Sequence, residues 1–199
     1  ISSMTQTIDG TLFVATGSNQ EGSGNGVWFS KDFGATWTKI EGTTNCTEIE
    51  SSDVDNNAWL ATSTGLKKFD ADEEVLTSVS TGQAGGVNAL KITKDGTIVI
   101  ANISNLTFVS KDGGETFDNK SSNNPNDNLV GSNASRIEYT VSASENSSGM
   151  HSLYAVLTNS NLVGMYVSHD DGDTWTKFVG ASAPPNEFDI YRNQGTYNS

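Results

Sequence analysis

One octapeptide occurs three times in this chain: SKDFGATW from Ser30 to Trp37, SKDGGETF from Ser110 to Phe117, and SHDDGDTW from Ser168 to Trp175. All three fit S-x-D-x-G-x-T-[W/F], so one structural unit is repeated along the chain. Each constrained position has a physical use. Gly34, Gly114 and Gly172 supply the positive φ that a tight hairpin needs. Asp32, Asp112 and Asp170, two residues earlier, can accept hydrogen bonds from the N–H groups of their own turn. The hydroxyls of Ser30, Ser110 and Ser168, and of Thr36, Thr116 and Thr174, can tie the flanks together. Trp37, Phe117 and Trp175 each bury a ring that anchors the turn. These fifteen residues therefore read as fold elements, and none is expected to be catalytic.

Spacing extends the repeat. Asp32 and Asp112 lie 80 residues apart, two units of about 40, the usual length of a four-stranded blade. Asp112 and Asp170 lie 58 apart, one unit plus an insertion. A second repeat aligns Met4–Ala15 with Leu90–Ala101 at a constant offset of 86, each copy reading strand, Asp-Gly turn, strand. The octapeptide is that of the Asp-box, or BNR repeat. The chain resembles the Asp-box β-propellers, which include sialidases, the sortilin luminal domain, xyloglucan-degrading hydrolases and repeat regions of exported bacterial proteins of the Bacteroidota kind. The resemblance implies an all-β propeller, or an arc of one, built from four-stranded antiparallel blades. It places each box between the third and fourth strands, on the outer perimeter.

Read by unit, the blades cover about 1–42, 43–80, 81–122 and 123–180, with the start of a fifth at 181–199. In the first blade the inner strand is expected to end near Ile8, followed by Thr11–Thr16, Val27–Ser30 and Trp37–Glu41. The second has strands near Thr47–Ser51, Ala58–Thr62, Gly65–Phe69 and Val75–Val79, and its Asp70–Glu74 turn is a degenerate box. Polar insertions at Asn123–Ser135 and Ser144–Ser152 lengthen the fourth. Gly17–Gly26 and Ser121–Asn128 read as loops. After Pro184-Pro185, the segment Phe188–Arg192 opens another strand, so the chain is expected to be an arc contiguous with further blades of the same polypeptide.

Composition bounds the function. Ser (25), Thr (22), Asn (20) and Gly (20) dominate, which favours turns and short strands, and no helical periodicity of ten residues is present. The 24 acidic and 11 basic residues leave a formal charge of −13. With no basic cluster beyond Lys67-Lys68, nucleic acid and anionic membrane surfaces are excluded as partners. No apolar run reaches the length of a membrane span, so no membrane insertion is expected. Cys46, the single cysteine, cannot form an internal disulfide and is expected to be buried on an inner strand. An acidic, Ser/Thr/Asn-rich surface fits a secreted or cell-surface protein of bacterial origin.

No metal or other cofactor is expected. Asp53-Val54-Asp55-Asn56-Asn57 starts like a calcium loop, but Ala58 stands at the glycine position and no Glu follows. Asp170-Asp171-Gly172-Asp173 clusters three carboxylates, two of them at variable box positions that should face water. Gly22–Gly26 lacks the Lys-Ser/Thr ending of a phosphate loop. Neither His151 nor His169 has a partner at zinc-ligand spacing. A sialidase site, which uses three clustered arginines, is excluded because the chain has two, Arg136 and Arg192. Two functional readings follow. The first is a non-catalytic extracellular binding or scaffold module with a glycan or protein ligand. The second is a fragment of a secreted glycoside hydrolase of the Asp-box propeller type with its catalytic carboxylates partly outside this chain, a pair that must stand about 5–5.5 or 6.5–9.5 Å apart across a cleft. Trp28 and Trp59 fall in strand patterns and read as core.

Overall fold

Short apolar–polar alternations such as Leu12-Phe13-Val14-Ala15 can bury one face of a strand, and Asp-Gly and box turns reverse the chain after each. The computed structural model describes residues 1–16, 25–121, 129 and 134–180. Among these, sixteen strands form four sheets, and each sheet is a meander of consecutive strands. The first contains β1 (Ser3–Gln6), β2 (Leu12–Thr16), β3 (Gly26–Ser30) and β4 (Thr38–Ile40). The second contains β5 (Cys46–Ser51), β6 (Asn57–Thr62), β7 (Gly65–Asp70) and β8 (Val75–Ser78). The third contains β9 (Val87–Ile92), β10 (Val99–Ile103), β11 (Leu106–Ser110) and β12 (Asp118–Asn119). The fourth contains β13 (Arg136–Val141), β14 (Leu153–Thr158), β15 (Leu162–Ser168) and β16 (Thr176–Gly180).

Every pairing is antiparallel. The first strands of successive sheets pack side by side, β1 on β5, β5 on β9 and β9 on β13. The chain is thus all-β, with its sheets arranged as the blades of a propeller. Among the described residues no comparable contact joins β13 back to β1.

Several strand limits differ from expectation by one or two residues. β1 stops at Gln6 rather than near Ile8, because Thr7 and Asp9 already belong to the turn, with Gly10 N–H donating to Thr7 O. β4 starts at Thr38, one residue late: its pairing with β3 begins at Phe29–Thr38, and the preceding Thr36 is still held in the turn by Asp32. Residues 17–24, most of the Asn123–Ser135 insertion and the whole tail from 181, with Pro184-Pro185 and Phe188–Arg192, lie outside the described residues.

The core lies between the sheets. Phe13, Val27 and Phe29 of the first sheet meet Ile49, Leu60 and Phe69 of the second, with Phe13, Phe29 and Phe69 in mutual ring contact. Trp59, Ala61 and Leu66 meet Leu90, Val99 and Phe108 across the next interface. Ile100 and Val109 meet Ile137, Leu153 and Trp175 across the third. Each such side chain contributes roughly 1.5–3 kcal/mol on full burial. Cys46 is wholly buried on β5, and burial pushes its thiol up to about 12.

The octapeptides dock on the preceding sheet. A Cβ on Gly114 would lie 2.1 Å from the Trp59 ring of the second sheet, and one on Gly172 about 3.1 Å from Val109 of the third. A Cβ on Gly34 would meet nothing closer than 3.5 Å. All three glycines have φ near +90°. Gly114→Ala therefore adds a clash to the backbone strain and should cost about 2–4 kcal/mol, whereas Gly34→Ala should cost about 1 kcal/mol from strain alone. Urea denaturation of the two variants measures the difference.

Candidate functional site

In each octapeptide a buried serine hydroxyl is the hub. The Gly34, Gly114 and Gly172 N–H groups donate to Ser30, Ser110 and Ser168 Oγ at 2.8, 2.8 and 2.9 Å. Those hydroxyls donate in turn to Asp32, Asp112 and Asp170 Oδ1. The same carboxylates accept the N–H and hydroxyl of Thr36, Thr116 and Thr174. The residue before the glycine is also left-handed, with φ of 57° at Phe33, 68° at Gly113 and 57° at Asp171, so both central turn positions need positive φ.

The Thr36 hydroxyl, then its N–H and the Ser30 hydroxyl, hold the Asp32 carboxyl down to about 2, and Thr116 and Ser110 do the same for Asp112. Every oxygen of these side chains is committed to its own turn, which makes the carboxylates poor candidates for acid–base work.

The ring positions diverge. Trp175 is 1% exposed and Phe117 packs on the core between the second and third sheets, but Trp37 is 38% exposed. The expectation of a buried ring is corrected there. Trp175 and Phe117 dock on the preceding sheet, and among the described residues no sheet precedes β1. Trp59 is buried as expected, while Trp28 is only partly buried, on the outward face of the first sheet.

The inner strands carry a polar seam. Thr5 and Ser51 share a hydrogen bond between β1 and β5. Lys91 of β9 is clamped by both Glu48 and Glu50 of β5, and Glu48 also accepts the Leu90 N–H at 2.7 Å. Burial pushes the Glu50 carboxyl above the usual range even with Lys91 alongside, and the paired carboxylates raise Lys91. Further along, Arg136 pairs with Glu138 of the same strand. Chemically the seam is a network in which one lysine bridges two carboxylates, and it holds two blades in register.

A second cluster was invisible in the sequence. The turn after β9 sets Asp95 facing His151 and Glu145 from the long β13–β14 connection, with their ligand atoms all within 4.8 Å of one another. His151 Nε2 lies 3.2 Å from Asp95 Oδ2 and its Nδ1 3.5 Å from Ser142 Oγ. Ser142, His151 and Asp95 follow the order of a hydrolytic triad. Ser142 Oγ, however, already donates to Ser144 O and accepts the Ser152 N–H, so it is held as a structural hydroxyl. The 56 residues between Asp95 and His151 hid the pairing from spacing arguments. The remaining histidine, His169, accepts or shares a hydrogen bond with Ser152.

No family model matches the chain, and none of the curated proteins does. Solved structures do. The extracellular domain of BT4673 from B. thetaiotaomicron aligns at 15% identity and a TM-score of 0.60, covering 96% of this chain and 23% of that one. An ancestral GH74 enzyme aligns at 14% identity and 0.63, covering 89% and 23%. An auxiliary nutrient binding protein from Bacteroides thetaiotaomicron aligns at 11% identity and 0.63, covering 90% and 47%. The chain therefore spans less than half the length of each of these structures, and at such identity the likeness is one of fold.

Two outcomes follow from this geometry. Ser168→Ala strands the buried Gly172 N–H and should cost about 1–3 kcal/mol in urea denaturation. Asp32 and Asp112 have folded pKa values depressed to about 2, so their stabilisation is complete above the unfolded value near 3.9 and is lost as pH falls toward 2. The urea midpoint should hold from neutral pH down to about pH 5 and fall below about pH 4. Asp112→Asn should flatten that fall, and an unchanged profile would contradict the assignment.

Proposed function

We propose that this chain is a non-catalytic extracellular or cell-surface binding or scaffold module, an arc of a larger Asp-box propeller from an exported bacterial protein. In this reading Ser30, Asp32, Gly34, Thr36 and Trp37, with their counterparts at 110–117 and 168–175, serve the fold alone. The observation that carries the reading is the state of the inner-strand carboxylates. Glu48 and Glu50 sit two residues apart on one strand and share one lysine, and Glu138 is paired with Arg136. A glycosidase pair must instead flank a sugar bond from opposite sides. The Bacteroides extracellular domain and nutrient-binding protein share this fold and support the extracellular setting.

The end sheets support the arc. The outward face of the first sheet carries Met4, Val14 and Trp28 in register across β1, β2 and β3, with Met4 59% exposed. The outward face of the fourth carries the cross-strand pairs Tyr154–Val167 and Val156–Met165. Sheets apolar on both faces are built to be covered on both faces, and further blades of the same polypeptide are the covering proposed for both.

The hydrolase reading keeps one supporting observation, the carboxyl of Glu50 raised by burial, a property shared with general acids. Incubation of the longer polypeptide that carries this chain with xyloglucan, with reducing ends measured, separates the two. The binding-module reading expects no release above background and retention of a glycan or protein ligand in array or pull-down experiments. Release that disappears in Glu50→Gln would establish the hydrolase instead.

A further inference from the structure

We infer that Asp95, Glu145 and His151 form a binding site for a divalent transition-metal ion, of the zinc class, that pins the third blade to the fourth. The donor set is one imidazole nitrogen and two carboxylate oxygens, a combination suited to zinc-like ions and, through its nitrogen, less suited to calcium or magnesium. Bonds of about 2.0–2.1 Å in a tetrahedron place neighbouring donors about 3.3 Å apart. The 3.2 Å between His151 Nε2 and Asp95 Oδ2 already matches that edge. The oxygen of Glu145 lies within 4.8 Å of both, so a side-chain rotation closes the third edge. A fourth position stays open to water.

The two main donors are fixed before any ion arrives. His151 is 5% exposed, its N–H donates to Asp171 Oδ1 at 2.6 Å, and its carbonyl accepts the Asp171 N–H. Its Nδ1 faces Ser142 Oγ, the outer contact that orients a ligating imidazole. Asp95 Oδ1 accepts the Thr93 hydroxyl and the Thr97 N–H, and Oδ2, which faces the imidazole, is steadied by the Thr97 hydroxyl at 2.9 Å. Glu145 has no hydrogen-bonding or ionic partner among the described residues.

The first blade provides an internal contrast. Asp9 holds the position equivalent to Asp95 and its carboxylate makes the same bonds to Thr7 and Thr11, but the neighbouring blade meets it through Asn56 Oδ1, which accepts the Asp9 backbone N–H and leaves the carboxylate without an imidazole. The imidazole and extra carboxylate are therefore an addition at the third junction and no part of the turn itself. Two carboxylates this close in a chain of charge −13 repel each other, and a dication removes that repulsion.

Titration of zinc chloride alone into the chelator-treated full chain, followed by calorimetry and thermal melting, tests the site. The expected result is about one ion per chain and a melting temperature that rises with zinc. His151→Ala should abolish the binding. Glu145→Gln removes an exposed, unpartnered side chain with no cost to folding and should weaken affinity by about tenfold or more. His169→Ala, the other histidine variant, should bind like wild type. Absence of stoichiometric uptake, full affinity in Glu145→Gln, or loss of binding in His169→Ala would each overturn the inference.

Discussion

The burial of one sheet face against the next sustains every other feature of this molecule. No single blade could bury its apolar residues alone, since a four-stranded meander has two faces and little interior. Stacking gives Phe13, Phe29 and Phe69 one shared core, Trp59 with Phe108 another, and Leu153 with Trp175 a third. Because each interface involves only neighbouring sheets, stability should distribute over the four sheets as a series of nearest-neighbour terms. The same logic explains the exposed ring of Trp37, since no sheet precedes β1 among the described residues.

The polar parts of the chain are subordinate to that stacking. Each octapeptide satisfies its own turn through a buried serine, a carboxylate and a threonine, and the second and third then press their glycine and aromatic ring onto the preceding sheet. Glycine at Gly114 is needed twice over, for its φ of +90° and for the Trp59 ring that leaves no space for a Cβ. Side chains also bridge the blades where the backbones do not pair. Lys31 reaches Glu74 and Lys111 reaches Asp173 along the perimeter, contacts exposed enough to contribute little stability. The half-buried Lys91 clamp lies closer to the axis and is worth more, because losing the lysine would leave two carboxylates partly desolvated.

This arrangement bears on function through what it uses up. The carboxylates that the inner strands present are engaged by Lys91 and Arg136, and the octapeptide carboxylates are occupied by hydroxyls and N–H groups of their own turns. What remains open is the geometry at blade junctions, where turns from successive sheets meet and where sequence insertions accumulate. The β13–β14 connection is the longest of the described turns at that end, and it delivers both His151 and Glu145 to Asp95.

The sequence by itself determined the repeat, the strand-turn periodicity and most strand positions, because these depend on local chemistry. Positive φ at glycine, carboxylate-to-turn hydrogen bonds and two-residue alternation all act within about ten residues. The Met4–Ala15 and Leu90–Ala101 alignment exposed equivalent turns for the same reason. Only the tertiary structure decided which octapeptide rings are buried, since Trp37 and Trp175 are identical locally and differ in whether a sheet stands before them. Only the tertiary structure joined Glu48 and Glu50 to Lys91, and Asp95 to His151. Those pairs are separated by about one blade or more of chain, and their meeting depends on how blades stack, which no local pattern encodes.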